Sequence, residues 1–158
     1  MRIVYFFASL MSVSIYAQVF NGLTLFSSYS DDFDGDNHYT RLIDNNHNIL
    51  HSWNHDRGPA SMPYLLTDGT LLYPYRIENP SMCNGGVGGG IALYDWHGNI
   101  LWSYEFSNNL YQHHHDICPL PNGNILVLVW ERHTAIQSAD SDFYGGEARG
   151  WAEMGRQE

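Results

Sequence analysis

The sequence predicts an all-β fold made of repeated hairpins, and two observations carry this prediction. Four segments, at residues 40–53, 64–75, 91–104 and 118–130, each place a short polar turn between two apolar runs. The runs after the turns are rich in Ile, Leu, Val, Tyr and Trp, which favour strands.

Each turn contains a residue pair that tolerates positive φ. These pairs are Asn45-Asn46, Asp68-Gly69, His97-Gly98 and Asn122-Gly123. We therefore predict four antiparallel hairpins in two neighbouring sheets. Their predicted spans are Tyr39–Trp53, Tyr64–Arg76, Ile91–Phe106 and Ile117–Glu131.

The hairpins alternate in type, so the repeat is two hairpins long. Ile49 and Ile100 correspond at a separation of 51 residues, and Leu71 and Ile125 at one of 54. A four-stranded unit of this size is typical of a β-propeller blade, although a β-sandwich of the same hairpins also fits. Residues 18–134 would supply about two blades of the roughly four or more that a propeller needs. We expect a truncated propeller at the N-terminal end of a longer protein.

The two ends of the chain differ from this pattern. Arg2, an apolar stretch and the Ala17-Gln18 pair predict a signal peptide over residues 1–17, which implies export to the periplasm or outside the cell. A buried N-terminal strand or helix is the alternative. The stretch is shorter than the ~20 residues of a membrane-spanning helix, so we expect no membrane span. Residues 135–158 are expected to be irregular, or a short helix from Glu147 to Glu158.

Charge excludes some partners. Seven basic and 17 acidic residues give a formal net charge of −10 at pH 7. Such a chain repels phosphate backbones, so nucleic acid is not an expected partner. Cys83 and Cys118 can form a disulfide after export or remain two buried thiols, and the spacing leaves both open.

No metal site is predicted. Three consecutive histidines followed by an aspartate, residues 113–116, suggest metal ligands, but successive residues of a strand do not converge on one ion. Asp32, Asp34 and Asp36 resemble the start of a calcium loop, but its twelfth position would be Ile43 instead of glutamate. A solvated acidic loop is expected there.

Several stretches of residues 22–134 together resemble one family of exported bacterial proteins. The most specific is HHHDI at residues 113–117, followed by LPNGNIL, and the DWHGN turn at residues 95–99 is the second. The pattern continues in two further segments, LIDNNHNILHSW at residues 42–53 and MPYLLTDGTLLYPYR at residues 62–76. The chain resembles the arylsulfotransferase-like family.

The resemblance implies a six-bladed propeller and an enzyme that moves a sulfuryl group from a phenolic sulfate ester to a phenol through a histidine intermediate. It implies no cofactor and no nucleotide sulfate donor. Neutral imidazole can attack sulfur near pH 7. The alternative function is a non-catalytic propeller that binds a ligand or partner.

Site residues follow from matching the motif. His114, His115 and Asp116 fall on the family's His-His-Asp stretch, with His113 ahead of it as a possible substrate contact. In a regular strand His113 and His115 face one side and His114 the other. We expect His115 to be an active-site histidine, with Asp116 or a backbone group fixing its tautomer. The resemblance also allows the covalent histidine to lie in a later blade, in which case His115 only binds or protonates the substrate. The alternative is a structural histidine in a hydrogen-bond network.

Arg76 closes the second hairpin, where the family's fragment YPYR also ends. It could clamp a sulfate by a bidentate contact or form a surface salt bridge. The glycine-rich segment at residues 84–90 lacks the context of a nucleotide-binding loop, and it could form an anion-binding nest or a tight loop between strands.

Overall fold

In a computed structural model of the protein, the structure describes residues 20–28, 38–82, 85–134, 136 and 147–154. Ten β-strands lie within this part of the chain. They are β1 (Thr24–Ser28), β2 (His38–Ile43), β3 (Ile49–His55), β4 (Tyr64–Leu65), β5 (Leu71–Arg76), β6 (Gly89–Tyr94), β7 (Ile100–Glu105), β8 (Tyr111–Pro119), β9 (Ile125–Arg132) and β10 (Glu147–Met154).

The four predicted hairpins are confirmed as β2–β3, β4–β5, β6–β7 and β8–β9, all antiparallel. The expected glycines take positive φ, at 85° for Gly69, 87° for Gly98 and 87° for Gly123. In the first turn the positive φ belongs to His47, at 64°, and not to Asn45 or Asn46.

The predicted grouping into two sheets is wrong, because the described ranges already form three sheets. β4-β5-β6-β7 form one four-stranded sheet, and it is flanked by the sheets β1-β2-β3 and β10-β9-β8. The second and third hairpins therefore share a sheet. The physical reason lies in β5 and β6, which are apolar on both faces and are buried along nearly their whole length. Two such strands must be covered on both faces, and a sheet that lies between two other sheets meets this requirement.

Two hydrophobic cores separate the three sheets. On one face of the middle sheet, Trp53 of β3 packs with Tyr73 of β5 and Tyr94 of β6. On the other face, Leu72 and Ile91 pack against residues of β8 and β9. Neighbouring residues of β5 alternate between the two cores, as the period of a strand requires. The protein is all-β with several antiparallel sheets.

The expected helix at the C-terminal end is wrong for residues 147–154. This segment is β10, and it pairs antiparallel with β9 from Glu147 opposite Arg132 to Met154 opposite Ile125. The edge of β9 offers a row of backbone donors and acceptors, and pairing with it outweighs the weak helical preference of a short segment.

Some expectations concern residues outside the described ranges. They are the signal peptide at residues 1–17, the acidic loop with Asp32, Asp34 and Asp36, and Cys83. Within the described ranges, no helix has the length and hydrophobicity needed to cross a membrane.

Candidate functional site

A β-bulge places the histidine motif. The pairing of β8 with β9 shifts register between His113 and Ile117, so the three residues between them leave the regular ladder. Bulges change the direction of side chains, and they occur often beside active sites. The expected alternation of the histidines is therefore wrong: the rings of His114 and His115 are in contact instead of facing opposite sides.

His113 is fully buried and is held by backbone contacts. Its Nδ1 accepts a hydrogen bond from the N–H of Gly89 over 3.0 Å, and its own N–H donates to the carbonyl of Phe106 over 2.7 Å. Burial lowers the pKa of His113 to about 4, and the neighbouring His115 and His114 act in the same direction, whereas contacts with Asp116 oppose it. The ring is neutral at pH 7. This position favours a supporting role over the substrate contact expected from sequence.

His114 and His115 form a pair through their Nδ1 atoms. Their ring centroids lie 4.2 Å apart with an interplanar angle of 57°. His114 is buried, with its ring centroid 5.0 Å from that of Trp130, whereas His115 is half-buried. When two neutral imidazoles meet in this way, one nitrogen donates and the other accepts. If His115 is the donor, its Nε2 carries the free lone pair.

The carboxylate of Asp116 has partners other than His115. Its Oδ1 accepts hydrogen bonds from the hydroxyl of Ser61 and from the N–H of Ile117, both over 3.0 Å. The contact that the structure gives Nδ1 of His115 is Nδ1 of His114, a partner not expected from the sequence, and the group that fixes the tautomer of His115 stays a prediction. Ser61 was also missed, because it lies 55 residues before Asp116 in a segment without a motif.

The glycine-rich segment packs directly against the histidines. A Cβ added to Gly88 would lie 2.6 Å from Nδ1 of His113 and 3.2 Å from Cβ of Ala60. A Cβ on Gly86 would lie 2.5 Å from Cε1 of His114. Real Cβ atoms do not approach other atoms within 2.6 Å, so a side chain at Gly86 or Gly88 would require the histidine ring to shift. This observation favours the tight-loop interpretation of the segment.

Arg76 lies beside this arrangement at the end of β5. It is exposed, and it pairs across the ladder with Gly89, the residue whose N–H contacts His113. Its backbone N–H donates to the carbonyl of Gly58 over 2.9 Å. A role of Arg76 in binding a sulfate stays a prediction.

A cleft of about 370 Å³ adjoins the site on the side of Ser61. β1 forms one wall, and the segment between β3 and β4 forms the other. The lining is mostly apolar, and it consists of Leu25, Phe26, Ser27, Pro59, Ala60, Ser61, Met62 and Pro63. The second wall also borders the histidines, since Ala60 approaches Gly88 and Ser61 binds Asp116.

The structure gives no reason to place a cysteine or a metal ion in this site. Cys118 is exposed and follows Ile117 in β8, and its pairing with Cys83 stays a prediction. Over the residues that the structure describes, no three His, Cys, Asp or Glu side chains are grouped so that they could hold a metal ion.

In the described part of this all-β protein, a histidine pair lies on a strand bulge, and the segment at residues 59–63 borders both the histidine motif and an apolar cleft. The sequence model of the Arylsulfotransferase (ASST) family matches residues 17–144, most of the chain. The chain belongs to this family, and the resemblance noted from its motifs is confirmed. Comparison with curated proteins and with solved structures gave no match.

Proposed function

We propose that this chain is an exported arylsulfotransferase that moves a sulfuryl group from a phenolic sulfate ester to a phenol, with His115 as the nucleophile. The observation that carries the proposal is the pair of His114 and His115 in a member of this family. His115 is half-buried, so a substrate can reach it, and its Nδ1 already has a partner. Its Nε2 is then the atom that meets sulfur.

The first half-reaction forms a bond between Nε2 of His115 and sulfur and breaks the bond between sulfur and the phenolic oxygen. The leaving phenolate takes up a proton from solvent. In the tautomer that this attack requires, Nδ1–H of His115 donates to Nδ1 of His114, so the cation that develops on the imidazole of His115 is stabilised by the lone pair on that atom. We propose that the guanidinium of Arg76, an exposed residue at the end of β5, offsets charge on the sulfuryl oxygens.

The second half-reaction reverses the first with a new phenol. Its oxygen bonds to sulfur, the bond between sulfur and nitrogen breaks, and the lone pair returns to His115. The acceptor phenol releases its own proton to solvent, which balances the proton that the first phenolate took up, so the protein ends in its starting state. Two half-reactions at one residue give ping-pong kinetics.

The proposal also includes a β-propeller architecture for the protein. The middle sheet is a four-stranded antiparallel meander, and the sheets on either side pack face to face with it. Adjacent blades of a propeller pack in this way, and a blade has four strands. These features support a propeller whose blade boundaries fall before β4 and after β7.

A non-catalytic binding protein is the second candidate. The burial of His113 and His114, and the contact of both rings with the glycine segment, are what a purely structural cluster would also show. The two candidates differ in one property, which is whether His115 becomes covalently modified.

The experiment is covalent trapping. The purified protein is mixed with 4-nitrophenyl sulfate without an acceptor, and release of 4-nitrophenol is followed together with the intact mass of the protein. We expect one equivalent of 4-nitrophenol, a mass gain of one sulfuryl group that maps to His115, and loss of the group when phenol is added. His115→Asn should abolish labelling, and His97→Asn, in an exposed turn, should not. Absence of any labelled protein or sulfate exchange would leave the binding protein as the better candidate.

A further inference from the structure

A buried glutamine stands directly before the histidine motif in β8. Gln112 is fully shielded from solvent, and no sequence motif pointed to it. Its amide oxygen and its amide nitrogen both have hydrogen-bond partners inside the fold. Loss of such a side chain leaves buried partners unsatisfied, so its contacts are costly to break. Gln112 can therefore act as a fixed point from which its neighbours are held.

The amide oxygen of Gln112 holds two serines from other parts of the chain. The hydroxyl of Ser107, between β7 and β8, donates to Oε1 over 2.6 Å. The N–H of Ser81 donates to the same atom over 3.0 Å, and its hydroxyl donates over 3.2 Å. Ser81 lies in the segment between β5 and β6, 31 residues before Gln112. Gln112 thus attaches this segment to the start of the histidine strand.

The segment attached at Ser81 is the one whose glycines contact the histidine rings. Its base is closed by the N–H of Ile77, which donates to the carbonyl of Gly88 over 3.2 Å. Within that base, Gly86 lies against the ring of His114, where an added Cβ would come within 2.5 Å of Cε1. The attachment at Ser81 therefore limits how far the glycines can move away from the rings.

The amide nitrogen of Gln112 acts on the histidine strand itself. It donates to the carbonyl of His113 over 3.2 Å, and the N–H of Gly88 donates to the same carbonyl over 3.2 Å. One donor from the strand and one from the glycine segment thus meet on a single oxygen. The carbonyl of Ser81 also accepts from Nη2 of Arg132 over 3.2 Å, but this contact is exposed and competes with water. The buried contacts of Gln112 are the stronger attachment.

We propose that Gln112 is a positioning residue for the histidine motif. Through Ser81 it keeps the glycine segment against the ring of His114, and the place of that ring determines where His115 lies. Gln112 acts through these contacts and takes no part in the bond changes at sulfur. Its effect on sulfuryl transfer rests on the proposed function, whereas its effect on the position of the rings does not depend on any activity.

The test compares Gln112→Met with Thr40→Val. Methionine has nearly the length of glutamine and lacks the amide. Thr40 is the matched control because it is also fully buried, and its hydroxyl is hydrogen-bonded to Ser27 over 2.7 Å and to His55 over 2.8 Å in the first sheet. Both substitutions break a buried hydrogen-bond network, so both should lower the melting temperature. Only the first removes contacts to the histidine strand.

Two measurements follow the histidine motif apart from stability. Nuclear magnetic resonance of isotope-labelled protein gives the amide signals of Gly88 and Gly89, which both donate to His113. The rate constant for labelling of His115 by 4-nitrophenyl sulfate, expressed per folded molecule, gives the first half-reaction. A residue that contributes only to stability would change neither.

In Gln112→Met we expect the signals of Gly88 and Gly89 to shift and the rate constant to fall about 10- to 100-fold, the size expected when a reacting group is displaced by on the order of 1 Å. In Thr40→Val both should stay as in the native protein. Ser107→Ala removes only the donor at 2.6 Å, so it should change both in the same direction and by less. This milder variant decides the matter if Gln112→Met does not fold.

Unchanged glycine signals or a native labelling rate in folded Gln112→Met would overturn the proposal, and so would equal changes in Thr40→Val. A native rate in Gln112→Met removes the positioning role and keeps the proposed function, because His115 is still labelled. A native protein that never labels removes the proposed function together with any effect of Gln112 on transfer. The glycine signals then decide whether Gln112 anchors the segment.

Discussion

The backbone N–H of Gly89 donates a hydrogen bond to Nδ1 of His113 over 3.0 Å, and this contact joins the glycine segment to the histidine strand. The carbonyl of His113 in turn accepts from the N–H of Gly88 over 3.2 Å. One residue of β8 is thus held from both its side chain and its backbone by two successive glycines. The position of the next two histidines depends on this attachment.

Gly88→Ala should displace His113 and destabilise the protein by about 1–3 kcal/mol, the usual cost of overpacking a buried site. The added methyl would lie 2.6 Å from Nδ1 of His113. The free energy of unfolding from urea denaturation measures the effect. Gly85→Ala is the matched control, because a Cβ there meets nothing within 4 Å and its change should stay within about 0.5 kcal/mol. Equal effects of the two substitutions would contradict the close packing of this segment.

The free energy of unfolding should decrease as the pH is lowered, over a pH range set by the buried histidines His113 and His55. Burial lowers the pKa of each to about 4, and the nearby His38 adds to the effect at His55. Both histidines are neutral in the folded protein and gain protons on unfolding below pH 6.5, so their stabilisation is complete above that pH and is lost as pH falls toward 4. Each contributes up to about 1.4 kcal/mol per pH unit to the slope.

Urea denaturation in steps from pH 7 to about pH 4.5 measures this slope. His97→Gln should leave it unchanged, because His97 lies exposed in a turn. Titration of the imidazole protons by nuclear magnetic resonance gives a direct check. A His113 signal that titrates near 6.5 would show that its ring is not buried as described.

His47→Gly should stabilise the protein by about 0.5–1 kcal/mol. His47 has φ of 64°, a region costly for residues with a Cβ, and the corresponding position of the third hairpin is Gly98. Thermal and urea unfolding measure the gain. His97→Gly, one position before Gly98, should instead lower stability by about 0.5–1 kcal/mol, since glycine there adds disorder to the unfolded chain without relief of strain. A loss of stability in His47→Gly would argue against the left-handed conformation.

Replacement of the neighbouring histidines should separate activity from stability. His115→Asn should lower sulfuryl transfer by about 100-fold or more with little change in melting temperature, because His115 is half-buried and is the nucleophile in the proposed function. His113→Leu should cost about 1–3 kcal/mol by removing the acceptor of the Gly89 N–H. Activity per folded molecule and calorimetric unfolding distinguish the two. Normal turnover in folded His115→Asn would exclude His115 as the nucleophile.

Local structure was predictable from local residues. A two-residue turn needs a particular φ, and glycine at positions 69, 98 and 123 meets that need whatever lies around it. The four hairpins could therefore be located from sequence. His47 shows the limit of this rule, since the Asp44 carboxylate accepts from the N–H groups of Asn46 and Asn48 and holds the turn without a glycine.

The grouping of the hairpins was not predictable, because the apolar pattern of a strand shows how many of its faces are covered and not by which sheet. β5 and β6 could have joined other partners until long-range packing placed them side by side. The strand β10 illustrates the same point, since its conformation follows from the free edge of β9.

The sequence by itself determined the all-β class, the hairpins, the family and the histidine motif, because turn residues, strand patterns and a contiguous motif are local properties. The tertiary structure decided how that motif is used. The bulge that joins His114 to His115 arises from the pairing of β8 with β9, and the contact of Asp116 with Ser61 joins segments 55 residues apart. Such contacts depend on how three sheets pack around two cores, and no short stretch of sequence encodes that packing.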